Sequence, residues 1–193
     1  DTTLFSQGIK YIIETGFAVD RNLTSRPVLG ADHGYQHIWV DGTAAPEADE
    51  AFMTWIFGGR FYTYRFVPQT GAQAILGESG ANDPAFNLRR EPLVIQRVSG
   101  AADATFVSLL EPHGLYDGAT EQTIDSRSLI ASLRHETHDS YDLVIVETKG
   151  GEQTVLAISY DDDPAQRHRA TVDGRTLSWT GFAARIELDQ ERN

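Results

Sequence analysis

Phe52-Met53-Thr54-Trp55-Ile56-Phe57-Gly58-Gly59-Arg60-Phe61-Tyr62-Thr63-Tyr64-Arg65-Phe66-Val67 decides the fold class. Two runs rich in aromatic and β-branched residues flank a pair of glycines, which is the composition of two strands and a tight turn. In the second run Phe61, Thr63 and Arg65 fall on one face, and Tyr62, Tyr64 and Phe66 on the other. The same grammar recurs outward from this hairpin. Leu143 to Lys149, Gly150-Gly151 and Glu152 to Tyr160 predict a second hairpin. Arg169 to Val172, Asp173-Gly174 and Arg175 to Trp179 predict a third, with the Asp-Gly pair favouring a type I′ turn. Ile9 to Glu14, Tyr35 to Val40, Leu93 to Ile95 and Phe106 to Leu110 read as further strands, and Ala183 to Leu188 as a closing one. Residues 128–137 fit a strand or a short helix, and their neighbours favour a strand. No segment sustains a 3.6-residue period. Roughly a dozen strands joined by hairpins predict an all-β fold, an antiparallel multi-stranded β-sandwich. Residues 1–193 are expected to form a single domain, without internal repeats or linkers.

Composition agrees with that expectation. A chain of 193 residues that is 40% hydrophobic buries on the order of 70% of its unfolded surface and needs no staples. It has no cysteine, so disulfides and thiolate metal sites are excluded. Sixteen basic residues against 28 acidic give a net charge of −12. That balance argues against nucleic acid, whose binding is dominated by Lys and Arg on phosphates. It also repels a polyanion unless cations are concentrated locally. No run approaches the ~18 apolar residues of a membrane span. The chain opens Asp1-Thr2-Thr3-Leu4 with neither Met nor a signal-like segment, and is expected to be a piece of something longer.

Two polar stretches bracket the strand Leu93-Val94-Ile95. One is Gly80-Ala81-Asn82-Asp83-Pro84-Ala85-Phe86-Asn87-Leu88-Arg89-Arg90-Glu91-Pro92; the other is Thr105-Phe106-Val107-Ser108-Leu109-Leu110-Glu111-Pro112-His113-Gly114. Glu111 and His113 have the chemistry to hydrogen-bond sugar hydroxyls, or they punctuate a polar turn. Arg89 and Arg90 offer the planar fork that binds carboxylates bidentately, or they pair with Glu91, Asp83 or Glu78. Asn87 belongs to the same loop. His135 and His138 would face one way on a helix and opposite ways on a strand, and no third ligand joins them, so a metal is not assigned. Asp161-Asp162-Asp163 lacks the interleaved ligands and glycine of a calcium loop. Trp39, Trp55, Trp179, Tyr62, Tyr64 and Tyr160 suit either core packing or sugar stacking. No nucleophile elbow, phosphate loop or dinucleotide glycine pattern occurs.

The wording of Gly34-Tyr35-Gln36-His37-Ile38-Trp39-Val40, Arg60-Phe61-Tyr62-Thr63, Gly80 to Pro92 and Thr105 to Gly114 resembles the C-terminal β-domain of alginate lyases of polysaccharide lyase family 17, in the heparinase II/III-like group. The resemblance implies β-elimination on alginate oligosaccharides. It also implies a partner α/α toroid, bearing an Asn-His pair and a catalytic Tyr, outside this chain. Zinc ligands are expected in an early β-domain segment that is missing here, so no cofactor is assigned to this chain and no catalytic residue either. Glu111, His113, Arg89 and Asn87 become candidate substrate contacts, and the chain alone is expected to be inactive. A periplasmic or secreted location and a homodimer of the full enzyme also follow from the resemblance, with no membrane or nucleic-acid partner. Two alternatives stay open: a stand-alone carbohydrate-binding sandwich, and a structural or dimerising β module.

Overall fold

Paired strands account for nearly all of the regular structure. A computed structural model describes residues 2–21, 27–46, 51–80 and 90–188. Among them are sixteen strands and two short 3₁₀ turns, so the all-β expectation holds. The chain gathers into two compact units, residues 1–127 and 128–193. No helix of the described residues is long and apolar enough to cross a membrane.

The first unit holds β1 (Thr2–Phe5), β2 (Ile12–Thr15), β3 (Ile38–Ala44), β4 (Ala51–Phe57), β5 (Arg60–Phe66), β6 (Ala72–Gly80), β7 (Arg90–Val98), β8 (Ser108–His113), β9 (Leu115–Asp117) and β10 (Gln122–Ile124). They form two four-stranded antiparallel sheets, ordered β1-β7-β6-β3 and β2-β4-β5-β8, and a small β9–β10 ribbon. The hairpin quoted at the outset is β4–β5, closed by the pair Phe57 and Arg60. Gly58 and Gly59 both sit at positive φ, as a two-residue turn matched to the strand twist requires. Tyr64 and Phe66 join Met53 and Trp55 in a core completed from the other sheet by Ala44, Ala74, Leu76 and Val94. The two sheets therefore face one another as a sandwich. Each large side chain buried there is worth about 1.5–3 kcal/mol of transfer free energy. The far side of the first sheet is buried too, with Val40, Ile75, Leu93 and Ile95 packed on Leu29 and Ile38.

The second unit holds β11 (Ile130–Thr137), β12 (Tyr141–Thr148), β13 (Gln153–Ser159), β14 (Arg167–Val172), β15 (Arg175–Thr180) and β16 (Ala183–Leu188). Its sheet runs β11-β12-β13-β16, and the β14–β15 hairpin forms a second layer. Leu143, Ile145, Val155 and Ala157 meet Ala170, Val172, Leu177 and Trp179 between the layers. Within residues 128–137, Ile130–Thr137 is a strand, and Ala183 to Leu188 is the closing strand expected, paired with β13. Asp173 and Gly174 both take positive φ, which is the type I′ geometry their composition favours.

Three of the boundary differences from the sequence reading bear on burial or on the site. Residues 7–11 make a 3₁₀ turn before β2 starts at Ile12, and Tyr35–His37 make another before β3 starts at Ile38. The first turn carries Ile9 into the core, so burial there is achieved without a strand. The third difference matters for the site. Phe106 and Val107 precede β8, and Glu111-Pro112-His113, expected in a loop, are its last three residues. Pro112 is tolerated because β8 is an edge strand, where the missing N–H breaks no ladder on the outer side.

Candidate functional site

β8 lies beside β5, with Glu111 opposite Thr63 and His113 opposite Phe61. Opposed residues and residues two apart share a face, so Phe61, Thr63, Glu111 and His113 all project from one side of the sheet. Thr54 joins them from β4, paired with Thr63. A hydrogen-bond chain runs along this face. The Thr54 and Thr63 hydroxyls are 2.9 Å apart, Thr63 Oγ1 is 2.9 Å from His113 Nε2, and His113 Nδ1 is 3.0 Å from the Asp125 carbonyl oxygen. A carbonyl only accepts, so Nδ1 carries a proton; in the neutral imidazole Nε2 then accepts from Thr63, which in turn accepts from Thr54. The imidazole stacks on Phe61 at 5.8 Å and is 6% exposed.

Immediately after it, Gly114 sits at φ +53°. A Cβ there would run into the carbonyl oxygens of Ile124 and Asp125, so the corner leading into the β9–β10 ribbon admits glycine alone. His113 is therefore built into the protein on both ring nitrogens, and its geometry is that of a brace. Glu111 is only partly buried on the same face. Arg65, opposite Leu109, shares this face and lies 5.0 Å over the Phe52 ring.

Asn87 and Arg89 lie outside the described residues. Arg90 opens β7, and its guanidinium is 3.7 Å from Glu78, one of the partners the sequence offered. It also lies 4.6 Å over the Trp39 ring. No local signal points to that contact, because Trp39 and Arg90 are brought together only through β6.

In the second unit the histidines are engaged locally. His135 Nε2 lies 3.0 Å from Asp142 Oδ1 across β11 and β12. Burial pushes the Asp142 carboxyl up, but hydrogen bonds from Thr137, Tyr160 and His135 outweigh it and hold the group below its ordinary value. His138 lies past the end of β11 and packs on the Tyr141 ring at 4.6 Å. Among the described residues, no three His, Asp or Glu side chains gather as a metal would require. Asp161 and Asp163 cap their own turn, accepting from the backbone N–H of Asp163 and Ala165. An open hollow lined by Asp139, Ser140, Tyr160, Asp161 and Asp162 adjoins that turn. Trp55, Tyr64 and Trp179 are core residues, whereas Tyr160 is half exposed.

Comparison with known proteins shows what the chain is similar to. Residues 148–186 match the family described as exo-oligoalginate lyase-like, C-terminal domain. The chain is 41% identical over 177 residues to an alginate lyase of Stenotrophomonas maltophilia (strain K279a), and 38% identical over 187 residues to an exo-oligoalginate lyase of Saccharophagus degradans (strain 2-40). The chain corresponds to the C-terminal β region of such lyases. The two alignments take in 92% and 95% of this chain, but only 24% and 25% of the relatives. The chain thus spans about a quarter of the length of each of these lyases. The stretch matched to the family runs through β13, β14 and β15 into β16, where the sequence was read by strand periodicity rather than by motif.

Proposed function

We propose that this chain is the later part of the β-domain of an enzyme that depolymerises alginate oligosaccharides by β-elimination, supplying cleft wall and substrate contacts. The observation that carries the proposal is identity of 38–41% along nearly the whole chain to two alginate-degrading enzymes. In such a reaction a base removes the C5 proton of a uronate, the C4–O4 bond breaks as the C4–C5 double bond forms, and an acid protonates O4. The carboxylate must be neutralised while negative charge develops on it. The proton-moving groups belong to a helical toroid carried by other polypeptide, in the manner of heparinase II/III-like lyases. The zinc site that the resemblance implies belongs to an earlier β-domain segment outside this chain, and the described residues gather no ligand set for it. Glu111, on the exposed edge strand, is the substrate contact on β8, and His113, two residues on along the same face, is braced beside it by Thr63 and the Asp125 carbonyl. Asn87 and Arg89 supply further substrate contacts. The enzyme works in the periplasm or outside the cell, and the complete protein forms a homodimer.

The test is direct. Purified chain mixed with oligoalginate produces no rise in absorbance at the unsaturated-uronate band, whereas the complete enzyme does. A rise from the chain alone would overturn the division of labour. In the complete enzyme, Glu111→Ala raises KM or lowers kcat by tenfold or more, about 1.4 kcal/mol. Unchanged kinetics would reduce Glu111 to an edge-strand residue.

A further inference from the structure

One cation of this acidic chain is held in a way that surface arginines usually are not. Trp39 on β3 pairs with Glu78 on β6, and Gly80 on β6 pairs with Arg90 on β7. Opposed residues share a face, and 78 and 80 are two apart on one strand, so all four side-chain positions line one face of the sheet. It is the face that sends Ala74, Leu76 and Val94 into the core, and this row is where that core ends. At Gly80 a Cβ would stand 2.9 Å from the Trp39 ring. The missing side chain is what lets the indole lie across the strand. The Arg90 guanidinium then lies over that indole, 4.6 Å from its centroid.

Glu78, nearly buried, faces Arg90 Nη1 at 3.7 Å. That is too long for a hydrogen bond, so Glu78 holds the guanidinium by charge and takes none of its donors. Among the described residues, Glu78 is the ion-pair partner of Arg90 and Trp39 its ring contact. Its side chain remains 48% exposed. A guanidinium held over a ring keeps N–H groups directed away from it, and their fork suits a carboxylate bidentately.

We propose that Arg90, set in place by Trp39, Glu78 and Gly80, is a subsite for the carboxylate of a uronate sugar. The proposal rests on the lyase reading and adds to it a residue and a ligand group. The ring and the buried carboxylate fix the guanidinium before ligand arrives, which lowers the ordering cost that a free arginine would incur on binding. In a chain of net charge −12, a fixed cation also offsets the general repulsion of a polyuronate.

The experiment uses the complete enzyme and two monosaccharides with no glycosidic bond to cleave: mannuronate, which carries the carboxylate, and mannose, which lacks it. NMR titration should show mannuronate binding weakened at least tenfold by Arg90→Gln, with mannose binding unchanged. Arg90→Lys keeps the charge but loses the fork and the stack, and should weaken mannuronate about fivefold. Trp39→Leu should fall between wild type and Arg90→Gln. Thermal melts of each variant separate these losses from unfolding. Equal mannuronate affinity in wild type and Arg90→Gln overturns the subsite, as does wild-type protein that binds neither sugar. Turnover of oligomannuronate, followed in parallel, keeps the two readings apart. Cleavage that ignores Arg90→Gln removes the subsite and leaves the lyase, whereas Arg90-dependent binding without cleavage leaves the subsite and removes the lyase.

Discussion

The sheet β1-β7-β6-β3 of the first unit and the sheet β11-β12-β13-β16 of the second contain four strands each, but they are buried in different ways. In the first, Ala74 to Glu78 of β6 and Pro92 to Gln96 of β7 are buried without a break, because cores lie on both faces. In the second, burial alternates residue by residue along β13, because the β14–β15 hairpin covers one face. A sheet enclosed on both sides has no outward row on which to place polar groups, so it must satisfy them inside. The first sheet does so at Gln96, which donates to the Tyr64 hydroxyl of the facing sheet at 2.6 Å, and that facing sheet carries the Thr54–Thr63–His113 chain on its other side. The second unit keeps most of its polar chemistry at the rim, as with Asp142 and Asp173.

The largest expected effect asks whether the two units are energetically separate. Ile95→Ala and Ile145→Ala each remove a side chain that is buried almost completely, at a cost of about 2–5 kcal/mol. Hydrogen exchange should show Ile95→Ala loosening amides of the first unit and Ile145→Ala those of the second. Equal loosening of both units by either substitution would break the comparison.

A middle-sized effect probes the interior polar chain. Thr63→Val leaves His113 Nε2 without its donor and should cost about 1–3 kcal/mol in urea unfolding. Adding His113→Leu should recover much of that loss, since replacing both partners by apolar groups avoids an unsatisfied atom. A double variant as unstable as the two single costs combined would show that the chain acts through packing alone.

The smallest effect belongs to the rim of the second unit. The Asp142 carboxyl is held below its ordinary value, so its contribution is present above about pH 4 and is lost as pH falls through the lower, folded value. Thermal melts from pH 6 to pH 3 should therefore fall less steeply in Asp142→Asn than in wild type. Parallel slopes would remove Asp142 from the account.

The comparison also explains what could be read in advance. The hairpins β4–β5, β12–β13 and β14–β15 were legible because Gly-Gly and Asp-Gly are local signals with a local geometric cause. Pairings between distant segments were not, since nothing in β8 names β5 as its neighbour, nor in β16 β13. Strand starts were set too early at Ile9 and Tyr35 because a 3₁₀ turn can bury an apolar residue as a strand does. The site followed the same rule. Glu111 and His113 stood out as a pair two residues apart, but Thr63, which fixes His113, lies far off in sequence on a neighbouring strand. Arg90 offered Glu78 as a partner on charge grounds, while the Trp39 platform beneath it needed β6 to bring the two together.

The pairing of Thr2 with Gln96 has a kinetic consequence. β1 has no neighbour until the polypeptide has been synthesised through β7, so its place stays open while most of the first unit is being made. Closing so long a loop is entropically slow, whereas β11, β12 and β13 can zip up as successive hairpins. The amino-terminal half should therefore mature later than its position in the chain suggests, and newly made protein should spend its most aggregation-prone interval with the β7 edge exposed.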